Sequence, residues 1–151
     1  MAKIWHPNNE VSLETVNAYN NDTIHASLDI RFTEIGDDFV KGTMPVNKKT
    51  IQPYGLLHGG ASVALAESLG STGAGLRVDH RKYKVVGQEI NANHVRSATE
   101  GIVTGIAKPI YFGKRTQVWE IKIYNSASDF NDATLCCVSR MTAMHIKIEG
   151  S

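Results

Sequence analysis

The sequence predicts an α+β fold in which an antiparallel β-sheet wraps around one long central α-helix. Three observations carry this. The stretch GLLHGGASVALAESLGSTGAGL, Gly55 to Leu76, consists almost wholly of small and apolar residues, as a helix covered on nearly all sides requires. Two strand-like segments precede it, and four follow it. The links SATE and SASDFNDA are short and rich in turn residues, which favours antiparallel pairing, and one sheet curled on one helix buries that helix economically.

Taken in order, SLETVNAYNN reads as a short N-terminal helix, with Ser12 as N-cap and Glu14 favourable in the first turn. In ASLDIRFTEI, Leu28, Ile30 and Phe32 alternate with polar neighbours, the period of a half-buried strand. GDD forms a turn and FVKGTMPV a second strand, so residues 27–46 are expected to form a hairpin. The central helix is expected from about Gly59 to Ala74, where Gly60, Ala61, Ala64, Gly70 and Gly73 permit close approach by the sheet. Each internal glycine lowers helix propensity by about 1 kcal/mol, so packing must make up the difference. After a charged, solvated loop, RVDHRKYK, the segments VVGQEINANHV, GIVTGIAKPIYF, TQVWEIKIYN and TLCCVSRMTAMHIKI form an expected four-stranded meander.

Composition narrows the function classes. The chain has 151 residues, 42% hydrophobic and 21% charged, ordinary for one globular domain spanning 1–151. A formal net charge of +1 provides no electrostatic reason to expect a nucleic-acid or membrane partner. Val63–Leu76 is too short and glycine-broken to span a bilayer, and MAKIWHPNNE lacks the apolar core of a signal peptide, so a cytoplasmic protein is expected. Cys136 and Cys137 are neighbours on a strand and point to opposite faces, which predicts two buried free thiols. The six histidines and two cysteines show no metal-ligand spacing, so no metal site is expected.

Glu67 stands out. A carboxylate in so apolar a run is costly to bury without a partner, and desolvation makes a carboxylate more basic. The start of the helix, at His58-Gly59-Gly60, exposes unpaired N–H groups suited to a developing oxyanion. His58 precedes Glu67 by nine residues, half a turn out of phase and about 13.5 Å along the axis, so one helix cannot present both to one small reacting group. Two antiparallel helices across a two-fold axis could, with the Glu67 of one chain meeting the His58-Gly59 of the other.

QPYGLLHGGASVALAES, with VVGQEINANHVRSA and QVWEIKI downstream, resembles the hotdog-fold acyl-CoA thioesterases of the 4-hydroxybenzoyl-CoA (Arthrobacter) and phenylacetate-pathway types. Within that family it is most similar to the subgroup acting on 1,4-dihydroxy-2-naphthoyl-CoA and to the one that clears misloaded aryl carrier proteins. The resemblance runs from about Leu28 to Ala143. It implies a hotdog fold, a homotetramer built from two-helix dimers, and hydrolysis of an aryl or hydroxyaryl thioester of coenzyme A or of an acyl carrier protein. No cofactor is implied, since coenzyme A belongs to the substrate. Glu67 would be nucleophile or general base, the Gly59 N–H would polarise the thioester carbonyl, and Gln52 and His58 would orient the thioester and assist the leaving thiolate. Ser71 would support the carboxylate or its water, with Thr72 beside it as a substrate contact.

The same resemblance lays the coenzyme over Gly87, over His94, Val95, Arg96 and Ser97, and over Tyr111, Phe112, Gly113, Lys114, Arg115 and Thr116. Arg96 and Arg115 would take the phosphates, supported by Lys114, because guanidinium groups make bidentate phosphate contacts. An acyl pocket lined by Leu, Val, Phe and Tyr would suit aromatic and medium-chain fatty acyl groups alike, and the aromatic choice is what the resemblance implies. A hydratase or dehydratase on the same fold and a non-catalytic acyl-CoA-binding domain are the alternative readings.

Overall fold

In the computed structural model, which describes residues 2–150, α1 (Leu13–Tyr19) and the short α2 (Ile24–Ser27) precede a hairpin of β1 (Arg31–Ile35) and β2 (Val40–Pro45). The long helix α3 (Gly59–Arg77) follows, then β3 (Tyr83–His94), β4 (Ile102–Phe112), β5 (Thr116–Tyr124) and β6 (Leu135–Lys147). The six strands form one sheet in the order β1-β2-β4-β5-β6-β3, with every neighbouring pair antiparallel. It wraps α3, as the hotdog expectation requires.

The core lies between α3 and the inner face of the sheet. Leu65 and Leu69 on the helix, and Trp119, Ile121, Ile123 and Met141 on the sheet, are fully buried, each contributing roughly 1.5–3 kcal/mol. Gly73 shows why the helix is made of small residues, since a Cβ there would lie 2.7 Å from the indole of Trp119. Cys136 and Cys137 are free and buried, and burial pushes both thiols up to about 11. Among the described residues no helix is long and apolar enough to cross a membrane.

Four expectations need correction. The first strand does not begin at residue 26. Thr23 caps α2 by accepting the His25 N–H, Asp29 turns the chain with φ 55, and the strand starts at Arg31. Helix α3 continues to Arg77, beyond Ala74. The charged loop is not merely solvated: Tyr83 and Lys84 already belong to β3, and Asp79 is buried, hydrogen-bonded by Arg81 Nε at 3.0 Å, Nη2 at 2.8 Å and by Asn8. The last four strands are not a simple meander, because β3 pairs with β6 and leaves β4 to β2 and β5. Strand β4 has two edges and both are taken, so the connection 95–101 crosses the sheet instead of turning a hairpin. Ala98 within it is buried, and its carbonyl accepts from Leu57 N–H.

The N-terminal segment is pinned over the helix. Trp5 stacks on Trp119 with centroids 6.4 Å apart and donates to Gly36 O. Asn9 donates to the carbonyls of Leu76 and Val78 at the end of α3, and Asn17 bonds both backbone groups of Phe32. These contacts place α1 and α2 beside α3, where they form a wall of the site.

Candidate active site

Nine α3 positions, from Gly60 through Val63, Ala64, Glu67, Ser68, Ser71, Thr72 and Gly75 to Leu76, face a cavity of about 1150 Å³. Their three- and four-residue spacing is one stripe of a helix. The opposite wall combines α1, α2 and the start of β3, with Val16, Tyr19, Ile24, Val85 and Val86 supplying apolar surface. Of the expected acyl-pocket residue types, valine and tyrosine dominate and phenylalanine is absent from the lining.

Glu67 is half-buried on this stripe, and its carboxylate has no hydrogen bond or ion pair among the described residues. Its seat is Gly87 on β3. A Cβ at Gly87 would stand 2.2 Å from Glu67 Oε1, so only glycine leaves the carboxylate where it is. A bulge between Gly87 and Glu89 interrupts the β3–β6 ladder beside this notch. Ser71 and Thr72 share the cavity, and the Ser71 hydroxyl lies 3.7 Å from the Met141 sulfur.

The helix start is built by capping. His58 is the N-cap, its backbone N–H bound to Thr50 O and its Nδ1 accepting from Gly60 N–H at 2.7 Å. Because Nδ1 accepts, the ring proton sits on Nε2, which leaves a donor at the helix mouth. The Gly59 N–H, first of the helix, has no acceptor among the described residues. His94 lies over Gly59, where a Cβ would come 2.7 Å from its Nε2. Gln52 sits in the preceding loop, its side-chain oxygen taking the Tyr54 N–H and its backbone bonded to Leu56 and Gly55.

Within one chain the expected parts fall into separate groups. Gly59 and Glu67 are eight residues apart on α3, about 12 Å along the axis. Gly87 is in register with Ala143 and His94 with Cys137, so the His94–Ser97 segment leaves the sheet at the opposite end from the Tyr111–Thr116 hairpin, whose Thr116 pairs with Met144. The seven residue steps along β3 from Gly87 to His94 span about 23 Å. Val95 and Arg96 donate their N–H groups to Cys136 O, the Arg96 side chain reaches Asp132 O at 3.3 Å, and Ser97 is exposed. Tyr111, Phe112, Lys114 and Arg115 are exposed on the far hairpin, with Gly113 N–H closing onto Thr116 O.

The sequence reading missed the N-terminal contribution to the cavity. Tyr19 and Ile24 are large, apolar and 86% and 55% exposed on short polar helices, the one local signal that this segment faces a ligand space. His25 beside them is half-buried against Phe32, with Nδ1 on the Thr23 hydroxyl, and burial lowers its pKa.

A sheet wrapped on a helix that carries a lone carboxylate in an apolar cavity defines a hotdog-type thioester hydrolase. The chain belongs to the thioesterase superfamily, whose family model matches residues 54–129. It is 52% identical over 139 residues to the 1,4-dihydroxy-2-naphthoyl-CoA hydrolase of Escherichia coli (strain K12), an alignment covering 92% of this chain and 96% of that one. It is 43% identical to the proofreading thioesterase EntH of Cronobacter turicensis, with the same coverages. Among solved structures, a mutant thioesterase from Pseudomonas aeruginosa superimposes with a TM-score of 0.89 at 39% identity, covering 97% of this chain and all of that one. A thioesterase from Haemophilus influenzae gives 0.87 at 40% identity, covering 97% and 96%.

Proposed function

We propose that this thioesterase hydrolyses an aryl or hydroxyaryl thioester of coenzyme A, with Glu67 as the catalytic carboxylate working against the helix start of a second chain. The observation that carries it is the carboxylate of Glu67, unpartnered among the described residues and held in the Gly87 notch on the wall of a largely apolar cavity. The named activity of the 52%-identical relative supports the hydroxyaryl acyl group. The relative named a proofreading thioesterase supports a carrier-protein thioester as the second reading.

Among the described residues the outer edge of β3 pairs with no other strand. Helix α3 runs along β3 so that Gly59 meets His94 and Glu67 meets Gly87. An antiparallel pairing of two β3 edges about a two-fold axis between Ile90 and Asn91 would set Gly87 opposite the partner's His94. Glu67 would then stand beside the partner's Gly59, whose free N–H would polarise the thioester carbonyl. Water adds to the carbonyl carbon with its proton passing to Glu67, or the carboxylate itself adds and water opens the anhydride. In either case the C–S bond breaks and the thiolate takes a proton, for which the partner's His58 Nε2–H at the helix start is a candidate. Arg96, Arg115 and Lys114 are the proposed phosphate ligands, and two such dimers form the proposed tetramer.

A thiol-release assay ranks benzoyl-CoA, hexanoyl-CoA, 1,4-dihydroxy-2-naphthoyl-CoA and an aryl-loaded carrier domain by kcat/KM, beside sedimentation of the active species. The aryl-CoA substrates are expected to lead, and Glu67→Gln to fold and associate yet lose most turnover. Binding without thiol release, near-normal kcat in Glu67→Gln, or a fully active monomer would overturn the reading.

A further inference from the structure

We propose that a hydrogen-bonded relay running from the core, Trp119 to Gln117 to His145, positions the Lys114-Arg115 tip of the β4–β5 hairpin and so sets the affinity for the phosphate end of a coenzyme A thioester. This rests on the phosphate role proposed for that tip, and it adds the residues that hold the tip in place.

The donors and acceptors allow one arrangement. Trp119 Nε1–H, which can only donate, reaches Gln117 Oε1 at 3.0 Å. The Ala74 carbonyl, which can only accept, takes Gln117 Nε2–H at 3.1 Å. These two contacts fix the orientation of a side chain that is 1% exposed. The other amide hydrogen faces His145 Nε2 at 2.9 Å, so that ring nitrogen accepts and the ring proton sits on Nδ1. Nδ1–H points at Lys114 O at 3.3 Å, while the His145 backbone N–H donates to Arg115 O at 2.8 Å. Both carbonyls of the tip dipeptide therefore end on one residue of β6, which is itself tied to the buried amide.

What this leaves outside is a pair of long cations. Lys114 and Arg115 are exposed and have no ion pair among the described residues. Arg77 lies on the same corner, its guanidinium 4.6 Å from the Phe112 ring, and Phe112 packs edge-on to Trp119 at 6.2 Å. A binding loop ordered before the ligand arrives loses less freedom on binding than a mobile one. The relay supplies that order from the core.

The experiment compares kcat and KM of wild type and His145→Leu on benzoyl-CoA and on the N-acetylcysteamine thioester of the same acid, which lacks the phosphates and nucleotide. In His145→Leu, KM for benzoyl-CoA is expected to rise about tenfold with kcat held, while kcat/KM on the truncated thioester stays within about twofold. His145→Gln, which keeps a donor and an acceptor, should fall between the two and provides the same comparison if the leucine variant does not fold. In a Lys114→Ala/Arg115→Ala background the histidine change should add no further loss. An unchanged KM for benzoyl-CoA, equal losses on both substrates, or additive losses in the combined variant would overturn the relay. A wild type that turns over both thioesters with equal kcat/KM would instead remove the phosphate role of the tip, and the relay's function with it.

Discussion

Replacing Gly87 by alanine puts a methyl group where the Glu67 carboxylate now rests. The new Cβ would lie 2.2 Å from Oε1 and 3.2 Å from Cδ. Restoring ordinary contact moves the carboxylate by about 1 Å, and a misplacement of that size costs about 10²-fold in rate. Stability should not suffer. The clash falls on the far end of a flexible side chain, and alanine is favoured over glycine in a strand by roughly 0.5–1 kcal/mol. Saturating thiol-release kinetics on an aryl-CoA, paired with a thermal melt, reads both quantities. The expected result is a kcat lowered about 100-fold with Tm equal or raised, and no further loss when the change is placed on Glu67→Gln. A kcat within a few-fold of wild type would refute the idea that this notch sets the position of the reacting carboxylate.

Other substitutions probe separate links. Gly59→Pro deletes the first helical N–H at a position where proline suits a helix, whereas Gly59→Ala brings the same crowding of His94 but keeps the donor. The proline variant should lose a further 10²–10³-fold in kcat relative to the alanine variant, and equal rates would dismiss the Gly59 oxyanion role. Gly73→Ala should lower stability by about 1–3 kcal/mol in a denaturant titration despite its better helix propensity, because the methyl meets the Trp119 indole at 2.7 Å; a stabilised variant would show that the helix can shift. Hydrogen bonding from Arg81 holds the Asp79 carboxyl well below the usual carboxylate range. Its folded-state value is lowered, so its contribution is complete above the unfolded value near ~3.9 and fades as pH falls below it. Asp79→Asn should therefore flatten the loss of Tm between about pH 4 and pH 2, and parallel wild-type and variant curves would discount the pair.

Residue chemistry made part of this molecule readable in advance. A helix covered on nearly every side needs small residues all round, so composition alone located α3, and a carboxylate in that setting marked Glu67. Local competition was harder to see. The run at 26–35 alternates like a strand, yet the Thr23 cap and the positive φ at Asp29 claim its first residues for α2. Which strand pairs with which is not encoded in alternation at all. All four late segments carry a strand pattern, and β3 went to β6 because the edges of β4 were filled by β2 and β5.

The site divides along the same line. Side-chain type and spacing along one helix were enough to nominate Glu67, His58 and Gly59, and to show that a single helix separates them by too great a distance. Only the folded sheet paired Glu67 with Gly87 and Gly59 with His94, residues remote in sequence, and sent the two segments proposed for the coenzyme to opposite ends of β3. It also made His145, one histidine among six, the holder of a cationic hairpin through an amide buried beneath it. Propensity and polarity act within a few residues of one another and can be read along the chain. Register, close approach and hydrogen-bond partnership depend on which distant surfaces meet, and that is decided only when the sheet closes around its helix.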